Sequence, residues 1–125
     1  MRESIIVPDA PKPAGPYSHA VVAHGFVFVA GQGPNIPETG ITPDNFKEQV
    51  RQTLRNIQTI LRGVGCEMKD VVKVNAYLTD PTRFAEYNEV YKEFFTNDFP
   101  VRTTVQAGLI NILVEIDCIA VLHGR

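Results

Sequence analysis

A chain of 125 residues, 44% of them hydrophobic, can bury one core of its own and is short for two, so residues 1–125 read as a single domain. Its formal net charge is −2 and its positive residues are dispersed, which gives no electrostatic footprint for nucleic acid or an anionic membrane. No apolar run approaches the ~20 residues that span a bilayer, and the opening Met1–Val7 breaks at Pro8, too early for a signal-peptide apolar region. A cytoplasmic protein is expected.

In chain order, Ser4 to Val7 is β-type, and Pro8 to Ser18 is a proline-rich link. Proline fixes φ and disfavours helix before it, so the link should be extended and stiff. Tyr17 is then either held in a defined place or simply a surface tyrosine after a turn. His19 to Ala23 and Phe26 to Ala30 flank His24-Gly25, the pattern of a β-hairpin with a two-residue turn. His19 and His24 read as strand-end and turn residues rather than catalytic ones.

Gly31-Gln32-Gly33 resembles the start of a phosphate loop, but Pro34 and Pro37 follow where such a loop needs a helix N-terminus. Glycine here is better explained by close approach of the backbone to a ligand or a neighbouring chain. Thr42-Pro43 predicts a helix start, with Thr42 as N-cap. Phe46, Val50, Leu54, Ile57, Leu61 and Val64 form its apolar stripe, Lys47, Glu48, Arg51, Arg55 and Arg62 its solvated face, and Gly63 and Gly65 its stop.

Val71 to Leu78 predicts a strand, with Val72, Val74, Ala76 and Leu78 on one face and Val71, Lys73, Asn75 and Tyr77 on the other. Thr79-Asp80-Pro81 should cap a second helix, whose apolar face is Phe84, Tyr87, Tyr91 and Phe94 with Phe95 beside it. Asn88, one turn from Tyr91, could reach out of that helix to a neighbour. Two further strands follow, one headed by Arg102 and one spanning Leu113 to Val121.

Alternation in the last strand puts Glu115 on one face with Leu113, Asp117, Ile119 and Val121. A carboxylate among apolar neighbours must be paired, hydrogen-bonded or protonated. Arg102 is the nearest candidate partner in sequence, so the two form either a structural ion pair or a site. Cys66 and Cys118 lack metal-ligand spacing and read as reduced thiols; no metal or cofactor is implied. The expected order is β-β-β-α-β-α-β-β. Two helices cover one face of such a sheet, and the apolar residues on the other face predict an oligomer packed through its sheets.

Gly15-Pro16-Tyr17-Ser18, Ala30-Gly31-Gln32, Tyr87-Asn88 with Tyr91 and Phe94-Phe95, Phe99-Pro100-Val101-Arg102-Thr103, and Val114-Glu115-Ile116 with Ile119-Ala120 together resemble the reactive intermediate deaminase family (RidA/YjgF). The resemblance runs from Ser4 to Val121. It implies an α+β, chorismate-mutase-like fold, a six-stranded mixed sheet with two helices on one face. It also implies a homotrimer with clefts between subunits and cofactor-free hydrolysis of 2-aminoacrylate-type enamines and imines to 2-keto acids and ammonia. Carried over by motif, Arg102 would hold the substrate carboxylate, Glu115 would position the attacking water, and Tyr17, Gly31 and Asn88 would line the pocket. The chain departs from the family's usual pattern in a shorter loop over Ala107–Ile112, in Thr104 where a cysteine is frequent, and in Asp117 where glutamate is usual.

Three function classes follow: an imine deaminase, a module binding a 2-keto acid for regulation, and an endoribonuclease or translation inhibitor, another activity reported in the family. The dispersed charge counts against the last.

Overall fold

Six strands and two α-helices follow one another over the described residues, 2–123, of the computed structural model. They are β1 (Arg2–Ile5), β2 (Ala20–Ala23), β3 (Phe26–Gln32), α1 (Phe46–Val64), β4 (Val71–Leu78), α2 (Phe84–Phe94), β5 (Val101–Gln106) and β6 (Val114–Val121). The strands form one sheet in the order β1-β2-β3-β6-β4-β5, in which β4 and β5 are parallel and all other neighbours antiparallel. Parallel neighbours need a crossover, and α2 supplies it.

The expected hairpin is present. His24 and Gly25 both have positive φ, 52° and 78°, the requirement of the two-residue turn whose twist matches its strands. The first strand is Arg2–Ile5 rather than Ser4 to Val7, because the Val7 N–H leaves the ladder and donates to the buried His19 Nδ1 at 2.9 Å. His19 Nε2 lies 2.7 Å from the Pro11 carbonyl oxygen, so with Nδ1 accepting, Nε2 donates there and the ring ties the proline-rich link to the sheet.

Helix α1 begins later than Thr42-Pro43 predicts. Its N-cap is Asn45, whose side chain accepts the Glu48 N–H at 2.8 Å. The Pro43 carbonyl is taken by the Gln49 side chain instead, at 2.9 Å. Gly63 lies within the helix, and Gly65, at φ 94°, is the left-handed cap that ends it. Leu54, Ile57, Ile60 and Leu61 are at most 1% exposed, each burial stabilising by roughly 1.5–3 kcal/mol. A 3-10 turn over Pro81–Arg83, capped by Asp80, precedes α2, which buries Tyr87, Val90 and Tyr91 but leaves Phe84 44% exposed.

Alternation in β6 is as the sequence predicts, with Val114, Ile116, Cys118 and Ala120 buried and the residues between them half-buried. In β4 it fails at the start. A register shift between Val71 and Lys73 turns Val71 into the core and Val72 out of it, the reverse of the expected faces. Both helices pack on the buried face. The opposite face carries Phe26, Phe28, Val72, Val101 and Val105, each more than 40% exposed. Among the described residues no helix is long and apolar enough to cross a membrane.

Candidate active site

The strand registers decide where the two charged residues point. Arg102 lies opposite Val74, and Val74 opposite Cys118, so Arg102 shares the helix-covered face with two buried core residues. Glu115 lies opposite Tyr77, on the uncovered face. Within one chain they stand on opposite sides of the sheet, and the intrachain ion pair considered from the sequence is not formed.

Glu115 rests on Gly31. A Cβ at that glycine would lie 2.7 Å from Glu115 Oε2 and 3.1 Å from Cδ, so the carboxylate occupies the space any other residue's side chain would need. A register irregularity between Val29 and Gln32, where β3 meets β6, presents the glycine in this way. Burial, then the neighbouring Asp117, pushes the Glu115 carboxyl above the ordinary range. Asp117 is itself bound at both oxygens, by Asn75 Nδ2 at 3.0 Å and the Tyr77 hydroxyl at 3.1 Å. Its charge is therefore fixed in place beside Glu115.

Tyr17 and Gly31 line one cavity of about 350 Å³, together with Lys12, Gln32 and Asn35. The Tyr17 hydroxyl accepts the Ala14 N–H at 3.0 Å, which folds the ring back on its own loop and leaves it 46% exposed. The stiff link thus does hold this tyrosine in a defined place.

Arg102 and Asn88 line a second cavity, of about 430 Å³, with Tyr91, Lys92, Phe99 and Pro100. The Arg102 guanidinium carbon lies 5.4, 5.2 and 4.7 Å from the ring centres of Phe84, Tyr87 and Tyr91. Among the described residues no carboxylate forms an ion pair with it. Burial raises the Tyr87 and Tyr91 phenols, against the opposing pull of this cation. The five candidate residues thus fall into two groups, Tyr17, Gly31 and Glu115 in one place and Asn88 and Arg102 in another.

Two buried polar residues of α1 support the first group and went unnoticed in the sequence. Asn56, 1% exposed, donates to the carbonyls of Gly33 and Asn35, both at 2.9 Å, and accepts from Gln52 at 3.0 Å. Gln49, 5% exposed, accepts the Leu113 N–H at 2.9 Å just before β6. The available signal was their spacing. Gln49, Thr53 and Asn56 fall between the apolar positions on the stripe that faces the core.

The family model described as Endoribonuclease L-PSP matches residues 7–122. The chain belongs to the RidA/YjgF family. A RutC family protein of Pyrococcus horikoshii is 46% identical over 123 residues, covering 96% of this chain and 98% of the relative. Escherichia coli TdcF, which carries the name of a reactive intermediate deaminase, is 36% identical over 126 residues, covering 97% and 98%. A crystal structure of TdcF holds bound serine and superimposes with a TM-score of 0.90 at 35% identity, covering 95% of this chain and 98% of that one. A Thermotoga maritima structure described as an endoribonuclease gives 0.93 at 38% identity, covering 99% and 100%. The fold is accordingly that of the YjgF/L-PSP proteins, a six-stranded mixed sheet with two helices on one face.

Proposed function

We propose that the protein is a 2-iminopropanoate/2-iminobutanoate deaminase, hydrolysing 2-aminoacrylate-type enamine and imine intermediates to 2-keto acids and ammonia in clefts between the subunits of a homotrimer. The observation that carries the reading is Arg102: a guanidinium lining a cavity, seated on aromatic rings and ion-paired with no carboxylate among the described residues. Such a group is suited to a ligand's carboxylate, which its planar fork holds with two charge-assisted hydrogen bonds. The name of TdcF supports the same chemistry.

A 2-imino acid needs little more. With its carboxylate on Arg102 and Asn88 beside it, C2 of the imine would meet a water held by Glu115 from the facing subunit, along the wall formed by Gly31 and Tyr17. Water adds to C2 as its proton passes to Glu115. The nitrogen takes that proton to complete the carbinolamine, and the C–N bond then breaks as the hydroxyl proton passes through Glu115 to the leaving nitrogen and the C–O bond closes to the carbonyl, which returns Glu115 to its carboxylate form. The products are ammonia and the 2-keto acid. A carboxyl raised above its usual range exchanges protons near neutrality more readily than an ordinary one. The exposed Phe26, Phe28, Val101 and Val105 face supports association, which would bring Glu115 of one chain toward Arg102 of another.

The surface gives the ribonuclease reading no comparable support. Lys47, Arg51, Arg62 and Arg83 are each paired with a carboxylate.

The test generates imino acids from several amino acids with an amino-acid oxidase and measures acceleration of keto-acid release. Arg102→Ala should lower kcat/KM by at least ~10- to 100-fold through loss of charge-assisted hydrogen bonds, and Arg102→Lys should recover little. A folded Arg102→Ala protein with undiminished activity would end the assignment.

A further inference from the structure

We infer that Phe84, Tyr87 and Tyr91 form a cage that positions Arg102 for the substrate carboxylate without neutralising it. The inference rests on the proposed role of Arg102 and adds residues that do not touch the substrate's reacting atoms.

The three residues stand at positions i, i+3 and i+7 of one helix, so their side chains line one stripe of α2. That stripe lies over the sheet face on which Arg102 stands, and the guanidinium sits within 5.4 Å of all three ring centres. The rings brace one another: Tyr87 and Tyr91 are tilted at 5.6 Å, and Tyr91 stacks on Phe95 at 4.6 Å.

An arginine beside a cavity must be held by something if its fork is to point one way. The ordinary holder is a carboxylate, which would compete with an incoming carboxylate for the same N–H groups. Ring faces attract the cation through their quadrupoles while the full charge and the in-plane donors remain available. Guanidinium is weakly hydrated, so seating it on rings costs less than seating an ammonium there. A cage of this kind therefore orients the binding group and leaves it open to the ligand. Placed on the face opposite Glu115, it should act on substrate capture and leave the water chemistry alone.

Phe84 is the residue to test, because at 44% exposure its truncation leaves the core intact. Phe84→Leu removes one ring and should raise KM for the imino acid made from alanine, and weaken pyruvate binding measured by calorimetry, each by ~3- to 10-fold. Its kcat should stay near that of the parent, and Phe84→Tyr, which restores a ring, should recover most of the loss. Tyr91→Leu, if folded, should shift KM in the same direction. If Arg102→Ala is impaired while Phe84→Leu keeps the parental KM and pyruvate affinity, the cage is overturned and the role of Arg102 stands. If Phe84→Leu lowers kcat with KM unchanged, the cage is likewise overturned. If Arg102→Ala is itself unimpaired, the substrate-binding reading falls first and takes the cage with it.

Discussion

Replacing Gly31 by alanine separates the position of Glu115 from the stability of the fold. The added methyl group would sit 2.7 Å from Glu115 Oε2, 3.1 Å from Cδ and 3.4 Å from Cγ, with no backbone atom among its three nearest neighbours. The obstacle is thus the end of a flexible side chain on the sheet's uncovered face, and rotation of Glu115 relieves the clash. Restoring ordinary van der Waals contact needs the carboxylate oxygen to move by about 0.7 Å, and displacements near 1 Å of a catalytic group cost up to ~100-fold. Stability should change little, since the residual crowding opposes a gain of roughly 0.5–1 kcal/mol from removing a glycine from a strand. The expected result is a Gly31→Ala protein whose kcat for imine hydrolysis falls ~10- to 100-fold while its Tm stays within about 5 °C of the parent. Full activity would show that the carboxylate's place over Gly31 is irrelevant to the chemistry. Loss of folding would show that the glycine serves the sheet instead.

Three other substitutions probe the same site and its surroundings. Burial is the first cause of the raised Glu115 carboxyl and Asp117 the second, so Asp117→Asn should move the acidic limb of the kcat/KM profile to lower pH; an unchanged or upward limb contradicts the coupling. A carboxyl whose pKa is raised on folding makes stability fall as pH climbs from its ordinary value through the raised one, so Glu115→Gln should flatten that fall in urea titrations run across the window. Asn56→Leu removes the buried amide that donates to the Gly33 and Asn35 carbonyls, and chemical denaturation should register a loss of about 1–3 kcal/mol; no measurable change would mean that water replaces the side chain.

The elements were legible where one physical signal dominated. The 46–64 helix, the 71–78 strand and the His24-Gly25 turn followed from apolar spacing and turn chemistry. Errors fell where a distant partner outweighed a local preference. Thr42-Pro43 is a good helix start in isolation, yet Gln49 takes the Pro43 carbonyl and Asn45 does the capping. The Val71–Lys73 shift arises from pairing between β4 and β6, and alternation within β4 alone cannot reveal it. Likewise the residue types of the candidate site were legible through family resemblance, while their division into two groups was not. In the strand Val101-Arg102-Thr103-Thr104-Val105 both valines share the face opposite Arg102, so alternation read alone turns the valines to the core and Arg102 away from it, the reverse of what is found. Only the parallel register with β4, which sets Arg102 opposite the buried Val74, decides it.

That parity supplies the sharpest test of where catalysis occurs. Side chains opposite one another in neighbouring strands project from the same face, so no rotamer change brings Arg102 and Glu115 of one chain together through the sheet. A site using both must therefore draw them from two chains. Arg102→Ala and Glu115→Gln proteins, each inactive alone, should then complement when unfolded together and refolded as mixed oligomers. Each site takes its arginine from one chain and its glutamate from a neighbour, so with equal amounts and random assembly about a quarter of the sites regain both. Keto-acid release should rise to about that fraction of the parental rate, against negligible activity from either variant refolded alone. Differently tagged chains establish that mixing has taken place. Mixed oligomers that remain inactive would place the two residues in separate roles and remove the shared intersubunit site.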